Sequence, residues 1–184
     1  MIDRERFELR MNVWMRPLYE GLSAYSPEPL PSDLAEDVGS GLVIADGCVC
    51  IRSHVVNLAR APEPKDSYRE WWTNEIGLDS TLKPSDPAWR LQLLSWGIEL
   101  AQMLLEQAIP LCGEQRVQAL LNLQSPLGQA DPEFDFACGS LFFYSVRDVV
   151  DDYSLPSHLE PLPDRRVLPQ PVLTMSHGHA LDAL

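Results

Sequence analysis

Lysine is almost missing from this chain. Lys65 and Lys83 are the only two, and every other basic side chain is an arginine. Cationic charge is scarce altogether: 14 Lys and Arg stand against 27 Asp and Glu, for a formal net charge of -13. A surface of that sign repels nucleic acid and anionic membrane and attracts basic proteins. Long apolar runs are also absent. No stretch reaches the roughly 18 uncharged apolar residues that a membrane-crossing helix needs. The first residues, Asp3-Arg4-Glu5-Arg6, lack the apolar run of a secretory signal. Cysteine is limited to Cys48, Cys50, Cys112 and Cys138, each in apolar surroundings. The expectation is a cytoplasmic protein whose reduced thiols serve as small core residues.

Motifs that announce an activity are missing too. There is no Gly-x-Ser-x-Gly, no phosphate-binding Gly-rich loop, no Gly-x-Gly-x-x-Gly and no His-Glu-x-x-His. This lowers the expectation of an enzyme. Serine–histidine neighbours, Ser53-His54 and Ser157-His158, do not make a triad, which needs an arrangement in space that adjacency does not supply.

What is present reads as a single domain. The expected fold is predominantly α, one domain of five to seven helices over residues 1–155, with 156–184 as a proline-rich irregular segment packed on it or trailing from it. Phe7, Met11, Trp14, Met15, Leu18, Leu22 and Tyr25 recur at three- and four-residue steps and predict a first helix. Asp33 and Glu36 have N-cap and N3 spacing. Leu34 to Ala59 then fits a long helix, at about 1 kcal/mol for each of Gly39, Gly41 and Gly47. The alternative is an α+β fold with a small hairpin at 42–51, in which Asp46-Gly47 is a two-residue turn. Ser67 and Glu70 have capping-box spacing before Trp72 and Ile76. Asp86-Pro87 starts the central helix, apolar around most of its circumference from Trp89 to Ile109 and stopped by Pro110. Shorter helices are predicted over 114–123 and 140–153.

Each candidate constellation has a plainer competitor. Cys48-x-Cys50 with His54 supplies metal-ligand types, but one residue between the cysteines is tighter than the usual zinc spacing. Buried apolar cysteines are the preferred reading, and His177-x-His179 reads as a solvated terminus. No metal and no cofactor is expected. Asp148, Asp151 and Asp152 fall at i, i+3 and i+4, on one face of the predicted helix. Glu133 and Asp135 alternate with Phe134 and Phe136. These five carboxylates are the candidate contacts for a basic partner, against a solvated acidic face as the plainer reading. Residues 131–184 carry nine acids and three bases, nearly half the net charge. Trp71 and Trp72 are adjacent, so on a helix they point about 100° apart and at least one lies near the surface. Trp71 joins the candidate contacts, because tryptophan is enriched at interface hot spots.

The functional expectation follows from charge. It is an acidic cytoplasmic binding protein, an immunity or inhibitor protein that neutralises a basic toxin or nuclease. In general character (small, acidic, without catalytic motifs) the chain is similar to bacterial immunity proteins. No motif matches one family, so no functional residue is carried over. The alternatives are a secretion chaperone or adaptor and, behind it, a metal-dependent or hydrolytic enzyme. The expected partner is a basic protein, toxin or effector, and neither nucleic acid nor membrane.

Overall fold

The computed structural model describes residues 7–61, 66–78, 88–113, 115–124, 138–147 and 171–177. The fold is α+β, not predominantly α. Strands β1 (Glu8–Met11), β4 (Ile76–Gly77), β5 (Val117–Gln124), β6 (Cys138–Ser145) and β7 (Val172–His177) form a five-stranded antiparallel sheet in the order β1-β7-β5-β6-β4. Strands β2 (Leu42–Ala45) and β3 (Cys48–Ile51) form a separate hairpin. The helices are α1 (Met15–Gly21), α2 (Ser32–Gly39), α3 (Val55–Leu58), α4 (Asp66–Thr73) and α5 (Trp89–Cys112).

The first predicted helix is divided. Phe7, Leu9 and Met11 alternate into the core, while Glu8 and Arg10 point to the opposite face, so the period here is two. Asn12 ends the strand. Its side-chain Oδ1 accepts the backbone N–H of Met15, opening α1, and that of Val172 on β7. The long helix over 34–59 is likewise overturned in favour of α2 followed by the hairpin. Asp46 and Gly47 have φ of 49° and 76°, the positive pair that a two-residue primed turn requires.

Residues 117–124 and 138–145 are strands, overturning the helices predicted over 114–123 and over the described part of 140–153. The cause is burial on both faces. From Arg116 to Leu121 every residue of β5 and its approach is buried, so the polar–apolar alternation that marks a half-exposed strand is erased. Residues 172–177, inside the segment expected to be irregular, form β7 between β1 and β5.

Helix α5 lies where the central helix was expected and runs two residues beyond the exposed Pro110. Leu93, Leu94, Leu100, Ala101, Leu104, Leu105 and Ala108 bury against the sheet residues Val117, Ala119, Leu121, Leu141, Phe143, Leu173 and Met175, and against Met15, Val38 and Ile51. Gly97 permits the closest approach. A Cβ at this position would stand 2.6 Å from Leu121 Cδ1. The proline-rich connector before α2 is pinned to α5 by two side chains. Gln92 accepts from the Tyr25 hydroxyl and the Glu28 N–H, and Trp96 Nε1 donates to the carbonyls of Glu28 and Pro29.

Candidate functional site

Helix α4 sits between the hairpin and the large sheet, and it and the turn after it bring two polar side chains inward. Glu70 and Asn74 are both fully buried. Glu70 Oε1 accepts the Val49 N–H at 2.8 Å, and its Oε2 accepts the Ser145 N–H at 2.6 Å. Asn74 Oδ1 accepts the Ile51 N–H, while its Nδ2 donates to the carbonyls of Val49 and Phe143. The two side chains thus join the open edge of β3 to the end of β6, as a strand between them would. Arg147 completes the pairing of Glu70 at 2.7 Å and also donates to the Gly47 carbonyl. Burial pulls the Arg147 pKa down, but the hydrogen bond and charge of Glu70, with Asp66, outweigh it, and the net shift is upward. Glu70, read from sequence as half of a capping box, spends both carboxylate oxygens on strands.

The outer side of α4 carries the aromatic feature. Trp72 is 50% exposed, and Trp71 is half-buried, edge-on to Phe142 with centroids 5.0 Å apart and planes at 78°. These three rings and Glu75 line a half-open hollow of about 160 Å³. Trp71, the tryptophan singled out from sequence, lines this hollow, and Trp72 beside it is the more exposed. Phe142 and Glu75 were not singled out. They come from β6 and from the turn after α4, 67 residues apart, so no local pattern joined them.

The other predicted contacts, Asp148, Asp151, Asp152, Glu133 and Asp135, lie outside the described residues. So does most of the charge. The described segments hold 12 acids and 8 bases, which leaves -9 of the net -13 in the remainder.

The Cys48, Cys50 and His54 group is drawn apart by its own partners. Both thiols lie in a small apolar cluster with Leu58, Val43, Ala45 and Val55. Burial, then the Cys48 charge and the Glu70 carboxylate, push the Cys50 thiol up to about 12. The Cys48 thiol is raised as well, by burial first and then by Glu70. His54 faces the Thr73 carbonyl through Nδ1 at 3.1 Å and Asp37 Oδ2 through Nε2 at 2.6 Å. Among the described residues, no group of three or more His, Cys, Asp or Glu is placed to hold a metal ion.

Ser53, His54 and Asp37 do meet, but in the wrong order for nucleophilic catalysis. The Ser53 hydroxyl donates to Asp37 Oδ1, and both imidazole nitrogens are occupied elsewhere. A serine nucleophile needs its hydroxyl on the base. The cluster ties α2 to the end of α4.

The sheet face away from α5 is the second polar region. Arg116, buried beside the start of β5, binds Glu8 Oε2 and the Ser176 hydroxyl, each at 2.9 Å. Glu8 also pairs with Arg10 at 2.6 Å. Burial raises the Glu8 pKa, but the hydrogen bonds and charges of Arg116 and Arg10 outweigh it and hold the carboxyl below its usual value. Gln118 accepts from the Tyr144 hydroxyl across β5 and β6. The first set of contacts links β1 and β7 to the start of β5 and is part-buried, and the Gln118–Tyr144 bond links β5 to β6.

No helix among the described residues is long and apolar enough to cross a membrane. Compared with known proteins, the chain matches no family model, no curated protein and no solved structure.

Proposed function

We propose that the protein is an acidic binding protein that docks on a basic protein partner, in the manner of an immunity or inhibitor protein that masks a basic toxin or nuclease. The reading is carried by the aromatic hollow on α4, in a chain with a net charge of -13. A large exposed indole beside a packed aromatic pair is the kind of anchor that dominates interface energetics. Surplus negative charge speeds encounter with a cationic surface and disfavours nucleic acid. The nearest approach to a catalytic arrangement among the described residues, Ser53 with His54 and Asp37, has its hydroxyl on the carboxylate, which weighs for binding over hydrolysis.

Affinity capture from a lysate of the source organism, followed by mass spectrometry, tests this. The expected outcome is a retained protein of high isoelectric point that elutes as salt is raised. Retention of only neutral or acidic proteins, held equally at low and high salt, would count against it.

A further inference from the structure

We propose that the hollow lined by Trp71, Trp72, Glu75 and Phe142 seats one arginine side chain of the basic partner. The inference rests on the partner reading above and gives it a chemical group. Trp72 is half exposed on the last turn of α4, and an indole face left open to solvent is the strongest ring platform for a cation. Phe142 and Trp71 hold each other edge-to-face and close one side of the hollow. Glu75 follows Trp72 by three residues. One of its carboxylate oxygens accepts from the Ser140 hydroxyl at 3.1 Å, and the other has no partner among the described residues.

A hollow with an unshared carboxylate on its rim is a poor seat for an apolar side chain, because covering that oxygen without a donor is unfavourable. A guanidinium meets both demands, since it stacks flat on the indole and offers a fork of N–H donors to the carboxylate. Among the described residues, two arginines of this region, one on α4 and one just past β6, are engaged elsewhere. Arg69 lies between Asp46 and Asp66, and Arg147 is held by Glu70.

The test uses the whole protein and small probes. The indole N–H signals of ¹⁵N-labelled protein are followed while Nα-acetyl-arginine amide, the lysine analogue or the neutral citrulline analogue is added. The arginine probe is expected to shift the Trp72 signal saturably, with the lysine probe about threefold weaker and citrulline weaker still, by roughly tenfold. Glu75→Gln should weaken arginine binding about fivefold while the remaining indole signals stay in place. Equal shifts from arginine and citrulline, or no shift of Trp72 with any probe, would overturn the proposal.

The two readings fail separately. If a basic partner is captured but Trp72→Phe and Glu75→Gln leave its dissociation rate unchanged, the arginine seat falls and the partner reading stands. If arginine seats on Trp72 but the retained proteins are not basic, the reverse holds.

Discussion

Glu70 on α4 and Asn74 in the turn that follows it, four residues apart, together replace a missing strand between β3 and β6. Each bonds to alternate residues of β3, Val49 and Ile51, and to alternate residues of β6, Ser145 and Phe143. The helix and the turn that ends it thereby satisfy strand edges that would otherwise be buried without partners. The same helix presents Trp72 outward. The candidate contact surface is rigid because its inner face is hydrogen-bonded into both sheets.

Replacing Glu70 with alanine should therefore be severe. It strands the buried Val49 and Ser145 N–H groups and removes the carboxylate partner of Arg147, which keeps the Gly47 carbonyl. The expected loss is roughly 3–5 kcal/mol by urea denaturation. Glu70→Gln should cost about 1–3 kcal/mol, because its amide NH₂ must face a donor on one side. A loss below about 0.5 kcal/mol for either variant would mean that these bonds do not hold the hairpin to the sheet.

Gly97 and Leu121 form a second tight relationship, with opposite signs in two backgrounds. An alanine favours a helix over glycine by about 1 kcal/mol. In the native protein its Cβ would press on Leu121, which is almost fully buried and has little room to yield. Gly97→Ala should then lower stability by about 1 kcal/mol, within the usual range for overpacking. In a Leu121→Ala background the obstruction is gone, and Gly97→Ala should raise stability. A double-mutant cycle by thermal and chemical denaturation reads the reversal, and additive effects would contradict it.

Acid should weaken the β1 edge through Glu8. Its folded pKa lies below the ordinary value of 4.5. Its contribution is therefore complete above that value and is lost as pH falls through the folded pKa, where both states become protonated. Glu8→Gln removes the contribution at neutral pH. The stability gap between native protein and Glu8→Gln should narrow steadily below pH 4.5. A gap that stays constant from neutral to strongly acid pH would contradict the pairing with Arg116 and Arg10.

The hairpin thiol should behave in the opposite direction. With its pKa pushed up to about 12, only about one Cys50 in ten thousand is ionised at pH 8. Iodoacetamide should label it at least about a hundredfold more slowly in the native protein than in denaturant. A raised thiol pKa stabilises the fold fully below the unfolded value of 9.0 and loses that contribution as pH climbs toward 12. Cys50→Ala should accordingly flatten the alkaline limb of the stability profile. Native labelling at the denatured rate, followed by peptide mass spectrometry, would contradict the burial of this face.

The fold class was misread as predominantly α, and the locally legible elements were those where a turn carried its own chemistry or a helix was apolar all round. Asp46-Gly47 marked the hairpin, and the continuous apolar circumference of 89–109 marked the central helix. The error at 42–51 came from preferring a long helix because helices were expected around it. That context was itself mistaken, and α4 supplies the cover that a lone hairpin requires. Strands β5 and β6 were unreadable for a different reason. Leu120 and Tyr144 are buried on the face opposite Leu121 and Phe143, so apolar residues cover much of both faces of these strands and the polar–apolar period is lost. At the candidate site the adjacent tryptophans were visible, but Phe142 and Glu75 become neighbours only through the sheet.

The most direct measurement of the central claim is stopped-flow association with the captured partner across a range of salt. Native protein is compared with a variant carrying Asp148→Lys, Asp151→Lys and Asp152→Lys. An acidic docking protein predicts a native association rate that falls steeply with ionic strength, and a variant slower by about tenfold or more at low salt. Rates that are equal for the two proteins and flat with salt would contradict it.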